Sequence, residues 1–289
     1  MKKSKTRWLL VTGAAGGMGK AGVAELRRRG FGVFALDLYP GLESREEILF
    51  ALGATDDELI VPIKASVTDG EMLASVAEHI GEITDRLYGI IHFAGIYMLD
   101  SLVEMEDEAF RRIFDVNVRG AYLVNKTFMR YLARGSRIII VTSELAVLDP
   151  LPFTGIYGVT KAALDKYAYS LRMELQLLGI SVSVLRAGAV DTGMLGTSMA
   201  ALERFVEKTK LYTCNAKKFK AIVEKVEARS IPTDRLARKI SRIARKRRPR
   251  FAYAINRNPL LLLLGILPKR LQLFAIRKIL KTKREKGNE

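Results

Sequence analysis

A tyrosine and a lysine stand four positions apart in the segment IYGVTK, residues 156–161. In a helix, side chains at i and i+4 lie on one face, so Tyr157 and Lys161 would be neighbours there. A phenol with a pKa of about 10 is a poor base at neutral pH, but a nearby ammonium group favours the phenolate. The pair therefore has the chemistry to take a proton from an alcohol or return one. The alternative is a surface pair without function, which many helices carry.

A serine adds to this chemistry. Ser143 ends the apolar segment RIIIVTS (137–143), 14 residues before Tyr157. Such a segment is typical of a buried strand, and ligands of α/β sheets bind beyond the carboxyl ends of the strands. A hydroxyl there can hold a substrate oxygen, so the serine, the tyrosine and the lysine together favour a catalytic site.

The elements that would position these residues follow a repeating pattern. Apolar segments of strand length alternate with helical patterns, and they cover residues 7–13, 32–37, 59–65, 89–95, 137–143, 180–186 and 250–255. This alternation is typical of βαβ units in a parallel sheet that is covered on both sides. We predict an α/β fold, a single doubly wound Rossmann domain with a seven-stranded parallel sheet over residues 1–255. A helical extension would follow over 256–289.

The first predicted strand leads into a glycine-rich segment, VTGAAGGMGKAGVAEL (11–26), with the pattern T-G-x-x-x-G-x-G. Glycines there let the backbone turn tightly and approach a pyrophosphate, whose charge is stabilised at the helix N-terminus. The segment therefore predicts a dinucleotide site, although a tight turn alone can also need glycines. The expected contacts are Thr12, Gly13, Ala15, Gly17, Met18 and Gly19.

Asp37 ends the second predicted strand, 18 residues after Gly19. A carboxylate there can accept hydrogen bonds from the adenosine ribose hydroxyls and would repel a 2′-phosphate. No arginine or lysine occupies positions 14–16 or 38 to compensate that repulsion. We therefore expect NAD(H) rather than NADP(H). The alternative is that Asp37 only begins the turn before Pro40.

Several motifs in this order resemble the short-chain dehydrogenase/reductase family over about residues 6–255. The motifs are TGAAGGMG, Asp37, HFAG (92–95), NVRG (117–120), TS (142–143), YGVTK (157–161) and AGAVDT (187–192). The resemblance implies a hydride transfer between NAD(H) and a secondary alcohol or ketone. With the methionine-rich segment at 193–206 in the expected substrate lid, about 193–232, it favours a lipophilic substrate such as a steroid, retinoid or acyl derivative. Ordinary core packing is the alternative for that segment.

The resemblance also implies a role for each site residue. Tyr157 would be the general acid/base, Ser143 would orient the substrate oxygen, and Lys161 would hold the nicotinamide ribose. Asn117 would hold a water that relays protons, unless it is only a kink or capping residue. Further cofactor contacts are implied for Ser66, Val67, Ala94, Gly95, Val190 and Thr192. No metal is expected.

Four residues depart from the family pattern. His92 and Phe93 replace two asparagines, and we interpret His92 as a packed strand residue rather than a catalyst. Ser66 stands where an aspartate commonly contacts the adenine. Ala187 replaces a proline, which should loosen its loop.

Positive charge is concentrated at the C-terminal end. The formal net charge is +17; residues 229–289 hold 19 Lys and Arg against three acids, which gives +16 and leaves 17 − 16 = +1 for residues 1–228. The apolar run Leu260–Leu267 has eight residues, far below the roughly 20 that span a bilayer. We expect residues 259–286 to contact an anionic membrane surface. Packing against the lid or a second subunit is the alternative, and nucleic acid is disfavoured because no base-stacking pattern accompanies the charge.

The remaining expectations concern compartment and assembly. The single Cys214 excludes an intramolecular disulfide and fits a cytoplasmic protein, with a peripheral position on the inner membrane face as an option. The family resemblance implies a homodimer or homotetramer through helices that include the Tyr157 helix. A competing hypothesis is a non-catalytic NAD(H)-binding protein that acts as a sensor at a membrane surface.

Overall fold

The computed structural model describes residues 6–54, 57–149, 151–192, 194–227 and 229–281. Its strands are β1 (Arg7–Thr12), β2 (Phe31–Asp37), β3 (Ile60–Lys64), β4 (Leu87–His92), β5 (Arg137–Ser143), β6 (Ser181–Ala187), β7 (Val190–Asp191), β8 (Ile231–Pro232) and β9 (Ala252–Ile255). Its helices are α1 (Gly17–Arg28), α2 (Arg45–Ala51), α3 (Gly70–Ile83), α4 (Asp107–Phe114), α5 (Gly120–Phe128), α6 (Gly155–Leu175), α7 (Met194–Lys208), α8 (Thr213–Glu227), α9 (Thr233–Arg245), α10 (Pro259–Ile266) and α11 (Lys269–Leu280).

Seven of the strands form one parallel sheet in the order β3-β2-β1-β4-β5-β6-β9. The order reverses between β1 and β4, which is where doubly wound sheets bind ligands. The predicted α/β fold with a seven-stranded parallel sheet is confirmed. Strand β4 ends at His92, earlier than predicted, because the amides of Phe93 and Ala94 both donate to the carbonyl of Thr12 and turn the chain away from the sheet.

Alternate residues of the strands pack on opposite faces of the sheet. Leu9 and Val11 of β1 belong to a buried cluster that includes residues of α1 and α9, whereas Leu10 belongs to a second cluster with residues of α3, α5 and α6. The sheet is therefore buried on both sides, and its strand ends are the part left free to carry polar groups.

Three segments of the chain lie near the carboxyl ends of β5 and β6, namely α6, the predicted lid region and the extension after β9. Helix α6 begins beside β5 and contacts both strands. The predicted lid region forms α7 and α8, and it starts and ends in the two-stranded sheet of β7 and β8. The extension after β9 forms α10 and α11, and α11 contacts α8. The part of the predicted membrane segment over 282–286 lies outside the described residues.

Among the described residues, none of the helices combines the length and the apolar character that crossing a membrane requires.

Candidate active site

The structure brings Ser143, Tyr157 and Lys161 together. Ser143 is the last residue of β5, and the other two lie one turn apart near the start of α6. The Ser143 side chain is within hydrogen-bonding reach of the Tyr157 phenol, and its Oγ also accepts a hydrogen bond from the amide of Leu145 at 3.2 Å. The Lys161 Nζ lies 5.5 Å from the centroid of the Tyr157 ring. One hydroxyl, one phenol and one amine therefore share a site.

Loss of contact with water has the largest effect on the pKa values of Tyr157 and Lys161. Burial raises the pKa of Tyr157 to about 12, against an opposing hydrogen bond from Ser143. Burial also lowers the pKa of Lys161 to about 8. The sequence argument expected the ammonium to favour the phenolate, but in the protein alone the loss of water outweighs that attraction. At neutral pH the phenol therefore holds its proton and is ready to donate it.

Asn117 is buried within a single π-helical segment, Asp115–Arg119, between α4 and α5. Its Oδ1 accepts from the Ile96 amide at 2.8 Å, and its Nδ2 donates to the Ile96 carbonyl at 3.0 Å and to the Thr160 Oγ1 at 3.1 Å. The side chain thus ties the loop after β4 to α6 next to Lys161. The π-helical turn interrupts the regular helix at Asn117, and the water relay stays a prediction.

The loop after β4 passes close to these polar groups. A Cβ on Gly95 would lie 3.1 Å from both the Asn117 Oδ1 and the Lys161 Nζ. Gly95 therefore keeps space open beside the lysine. Ala94 precedes it and lies against the glycine loop at the end of β1, so both predicted cofactor residues lie between the glycine loop and α6.

The glycine loop has the form of a cradle for a phosphate group. Gly13 has a φ of +73°, and a Cβ there would lie 2.4 Å from the backbone nitrogen of Ala94. A Cβ on Gly19 would lie 2.0 Å from the Gly13 carbonyl oxygen, so neither position accepts a side chain without movement. Helix α1 starts at Gly17 with no side-chain cap from Gly16, which leaves its first amides to a ligand.

Thr12 and Met18 flank this loop. Thr12 is fully buried, and among the described atoms its Oγ1 has no hydrogen-bond partner. Met18 is half-buried and contributes to the wall of the cavity that also contains Tyr157. These features fit a dinucleotide cofactor, whose pyrophosphate the glycine loop would hold.

Asp37 lies at the other side of the glycine loop. Its carboxylate accepts hydrogen bonds from the amide of Ala15 at 2.8 Å and from the amide of Leu38 at 2.7 Å. It therefore both begins the turn after β2 and stands beside the loop, so the two interpretations of Asp37 are compatible. The backbone amide of Ala15 is engaged with Asp37 in this structure.

Ser66 and Val67 follow the carboxyl end of β3, the strand that pairs with β2 and Asp37. The Ser66 Oγ lies 2.8 Å from the Thr68 Oγ1 and accepts from the Thr68 amide at 3.2 Å, so it holds its own turn. Val67 is buried, and a Cβ on Gly120 would lie 2.8 Å from its Cγ2. Their predicted adenine contacts stay predictions.

The segment after β6 forms another wall of the site. Val190 pairs with Ile231 in the small sheet, and the amide of Thr192 donates to the Val190 carbonyl at 2.8 Å. A Cβ on Gly188 would lie 1.8 Å from the carbonyl oxygen of Asn256, so this segment packs directly on the chain that leads into the extension. The Ala187 loop is thereby held in place without the family's proline.

A cavity of about 240 Å³ connects these groups. Ser143, Tyr157 and Lys161 form its polar end. Apolar side chains from five other regions complete it, namely Tyr97, Leu151, Val190, Phe219, Ile222, Val223 and Leu261. Helix α8, in the predicted lid region, therefore lines the cavity, and a residue of α10 does so too.

Several cavity residues were not identified from the sequence, among them Tyr97, Glu144 and Leu261. Tyr97 packs edge-on against Tyr157, with ring centroids 4.8 Å apart. Glu144 is buried, burial raises its pKa, and its Oε2 accepts from the amide of Asn258 at 2.7 Å. Leu261 comes from the extension. Of these three residues, Glu144 had a signal in the sequence, because its carboxylate directly follows Ser143, the predicted catalytic serine.

His92 lies in the core, as the sequence argument expected. It is buried, and its ring Nε2 lies 2.9 Å from the Oδ1 of Asn125, whose Nδ2 donates to the Tyr167 hydroxyl at 3.1 Å. Burial lowers the pKa of His92 to about 4. The neutral ring links β4 to α5 and α6 and takes no part in the cavity.

Comparisons with known proteins give a consistent result. The family model described as short chain dehydrogenase matches residues 7–203. The Neurospora crassa short-chain dehydrogenase srdE is 32% identical over 197 residues, covering 68% of this chain and 65% of that protein. The NADPH-dependent 1-acyldihydroxyacetone phosphate reductase of Schizosaccharomyces pombe is 28% identical over 188 residues, covering 64% of this chain and 60% of that protein. In both cases the match spans less than two thirds of the relative.

Solved structures share the fold. A short-chain dehydrogenase from Streptomyces avermitilis superimposes with a TM-score of 0.73 at 20% identity, and the match covers 96% of this chain and 98% of that one. The architecture is therefore common to both chains over nearly their whole length.

Proposed function

The chain belongs to the short-chain dehydrogenase family of oxidoreductases, and on that premise we propose that it transfers a hydride between NAD(H) and a lipophilic secondary alcohol or ketone. The observation that carries the proposal is the meeting of Ser143, Tyr157 and Lys161 at the polar end of an otherwise apolar cavity. The glycine loop opens onto the same cavity through Met18.

Each residue of this group has a task that its environment supports. A bound nicotinamide cofactor supplies the hydride or accepts it. In the reduction, the Ser143 hydroxyl holds the carbonyl oxygen, and Tyr157, whose pKa is about 12, donates its proton to that oxygen. Lys161, with a pKa of about 8, is still largely an ammonium at pH 7 and stabilises the phenolate that remains. In the oxidation, the phenolate takes the proton of the alcohol.

The first experiment tests the role of the phenol. Tyr157→Phe should reduce turnover of a ketone panel by at least 100-fold, the usual contribution of general acid/base catalysis, while NADH fluorescence titration shows unchanged cofactor binding. Tyr169→Phe is the matched control, because Tyr169 is an exposed tyrosine on the same helix. Normal turnover in Tyr157→Phe would refute the assignment. NADH binding by the wild type without turnover of any compound would support the non-catalytic nucleotide-binding alternative.

The choice of NAD(H) rests on Asp37. Its carboxylate lies beside the glycine loop, and a 2′-phosphate there would meet a negative charge. The S. pombe relative is named as NADPH-dependent, so the coenzyme has to be measured. We expect a higher kcat/KM with NADH than with NADPH, and a smaller ratio in Asp37→Asn. A wild type that prefers NADPH would contradict this part of the proposal and leave the hydride transfer intact.

The lipophilic substrate is supported by the cavity wall. Aromatic and aliphatic side chains from the loop after β4, from α8 and from α10 surround the polar end. A relative named for an acyl-bearing substrate is compatible with this chemistry. The screen should therefore compare long-chain acyl ketones and steroids with small polar ketones, and faster turnover of the small polar compounds would refute the lipophilic assignment.

A further inference from the structure

Helices α10 and α11 expose an unusual number of large apolar side chains. Residues of this outer face are between 52% and 81% exposed, and they are Leu260, Leu263, Ile266, Leu271, Leu273, Phe274 and Ile279. In α10 every residue after Pro259 except Gly265 is leucine or isoleucine, and none of them is buried. Contiguous exposed apolar side chains of this kind mark an interaction surface.

The opposite side of the same segment is attached to the catalytic domain. Leu261 lines the cavity, and the Asn258 amide that precedes α10 donates to the buried Glu144. At the far end, the Nδ2 of Asn215 in α8 donates to the carbonyl of Leu280 at 2.8 Å. The segment is therefore held at both ends, and its outer face has a fixed position.

Charge distinguishes the candidate occupants of this face. The sequence has no acidic residue between 256 and 281. Lys269 forms an ion pair with Asp149, and four further cations of α11 and its end are exposed, namely Arg270, Arg277, Lys278 and Lys281. An apolar face with a basic border matches the interface of an anionic bilayer, where leucines enter the acyl boundary and cations contact headgroups. The two helices, of eight and 12 residues, are too short to cross a bilayer and would lie in its plane.

We propose that the outer face of α10 and α11 docks on an anionic lipid bilayer. A second copy of this chain would also cover apolar side chains, but the basic border would then meet a like charge in a symmetric contact. Docking would also place the helix that supplies Leu261 to the cavity at the lipid surface, so a lipophilic substrate could pass from the bilayer to the cavity. That last step alone rests on the proposed function.

Vesicle co-sedimentation of the full chain tests the docking without any activity measurement. The wild type should pellet with phosphatidylcholine vesicles that contain phosphatidylglycerol, more weakly with phosphatidylcholine alone, and less as salt increases. The double variant Leu263→Glu with Ile266→Glu should bind at least tenfold more weakly, because two large apolar contacts are lost and two negative charges are added. Both side chains are exposed, and neither lines the cavity.

The matched control changes an exposed apolar pair that precedes the amino end of β6. Leu177 and Leu178 are 80% and 55% exposed at the end of α6, so Leu177→Glu with Leu178→Glu should bind vesicles like the wild type. Equal binding by the two double variants, or wild-type protein that stays in solution with both vesicle types, would overturn the proposal. A change of oligomeric mass in the Leu263 and Ile266 variant without vesicle binding by the wild type would assign the face to a second copy instead.

Discussion

Replacing Lys161 with methionine is expected to stabilise the folded protein at neutral pH while abolishing its catalytic function. The ammonium is buried, and desolvation lowers its pKa from 10.5 to about 8. Each unit of difference between the folded and unfolded pKa corresponds to about 1.4 kcal/mol, so the buried charge lowers the free energy of unfolding by about 3 kcal/mol at pH 7. The substitution removes none of the Asn117 hydrogen bonds given above, because their partners are Ile96 and Thr160.

The pH dependence separates this electrostatic effect from packing. Between pH 8 and 10.5 the folded wild type has released the Lys161 proton, whereas the unfolded chain retains it. The free energy of unfolding of the wild type therefore rises with pH in this window, relative to that of Lys161→Met. Below pH 8 both states hold the proton and the difference is constant. The advantage of the variant should be largest at pH 7 and should disappear toward pH 10.5.

Urea unfolding followed by far-ultraviolet circular dichroism at several pH values in this range provides the measurement. Lys166→Met is the control, because Lys166 is exposed on the same helix and its replacement changes the net charge equally. A difference between Lys161→Met and the wild type that stays constant from pH 7 to 10.5 would refute the reasoning, whatever its size.

Three further substitutions test other parts of the site and core. Gly13→Ala should abolish NADH binding in a fluorescence titration, because the added Cβ would lie 2.4 Å from the Ala94 nitrogen; unchanged affinity would contradict the cradle. Burial lowers the pKa of His92 from 6.5 to about 4, so the wild type loses up to about 3 kcal/mol of unfolding free energy as pH falls through that window. His92→Asn should remove this loss of stability at acidic pH. Glu144→Gln should remove a pH dependence of the opposite sign. Burial raises the pKa of Glu144, so the free energy of unfolding of the wild type declines as pH rises above 4.5, and the glutamine variant should lack this decline. In urea unfolding, pH profiles parallel to the wild type would contradict either of the last two predictions.

Local patterns in the sequence were sufficient to predict the fold and to identify the main chemical groups of the site. The strand-length apolar runs predicted the seven strands of the large sheet, because strands buried on both faces need nearly continuous apolar residues. Gly13 and Gly19 were identifiable for a similar reason, since the turn into α1 excludes a Cβ at both positions. The pairing of Tyr157 with Lys161 requires only the geometry of one helical turn.

Tertiary structure alone decided the features that depend on distant segments. The net rise of the Tyr157 pKa follows from how completely β5, α6 and the cavity walls remove water, which no spacing within one segment reveals. The bonds of Asn117 to Ile96 and Thr160 join three separate parts of the chain. Leu261 reaches the cavity because the extension folds back over the carboxyl ends of the strands. A periodic pattern predicts which side of a helix is apolar. The segment that packs against that side is determined by the packing of the whole chain.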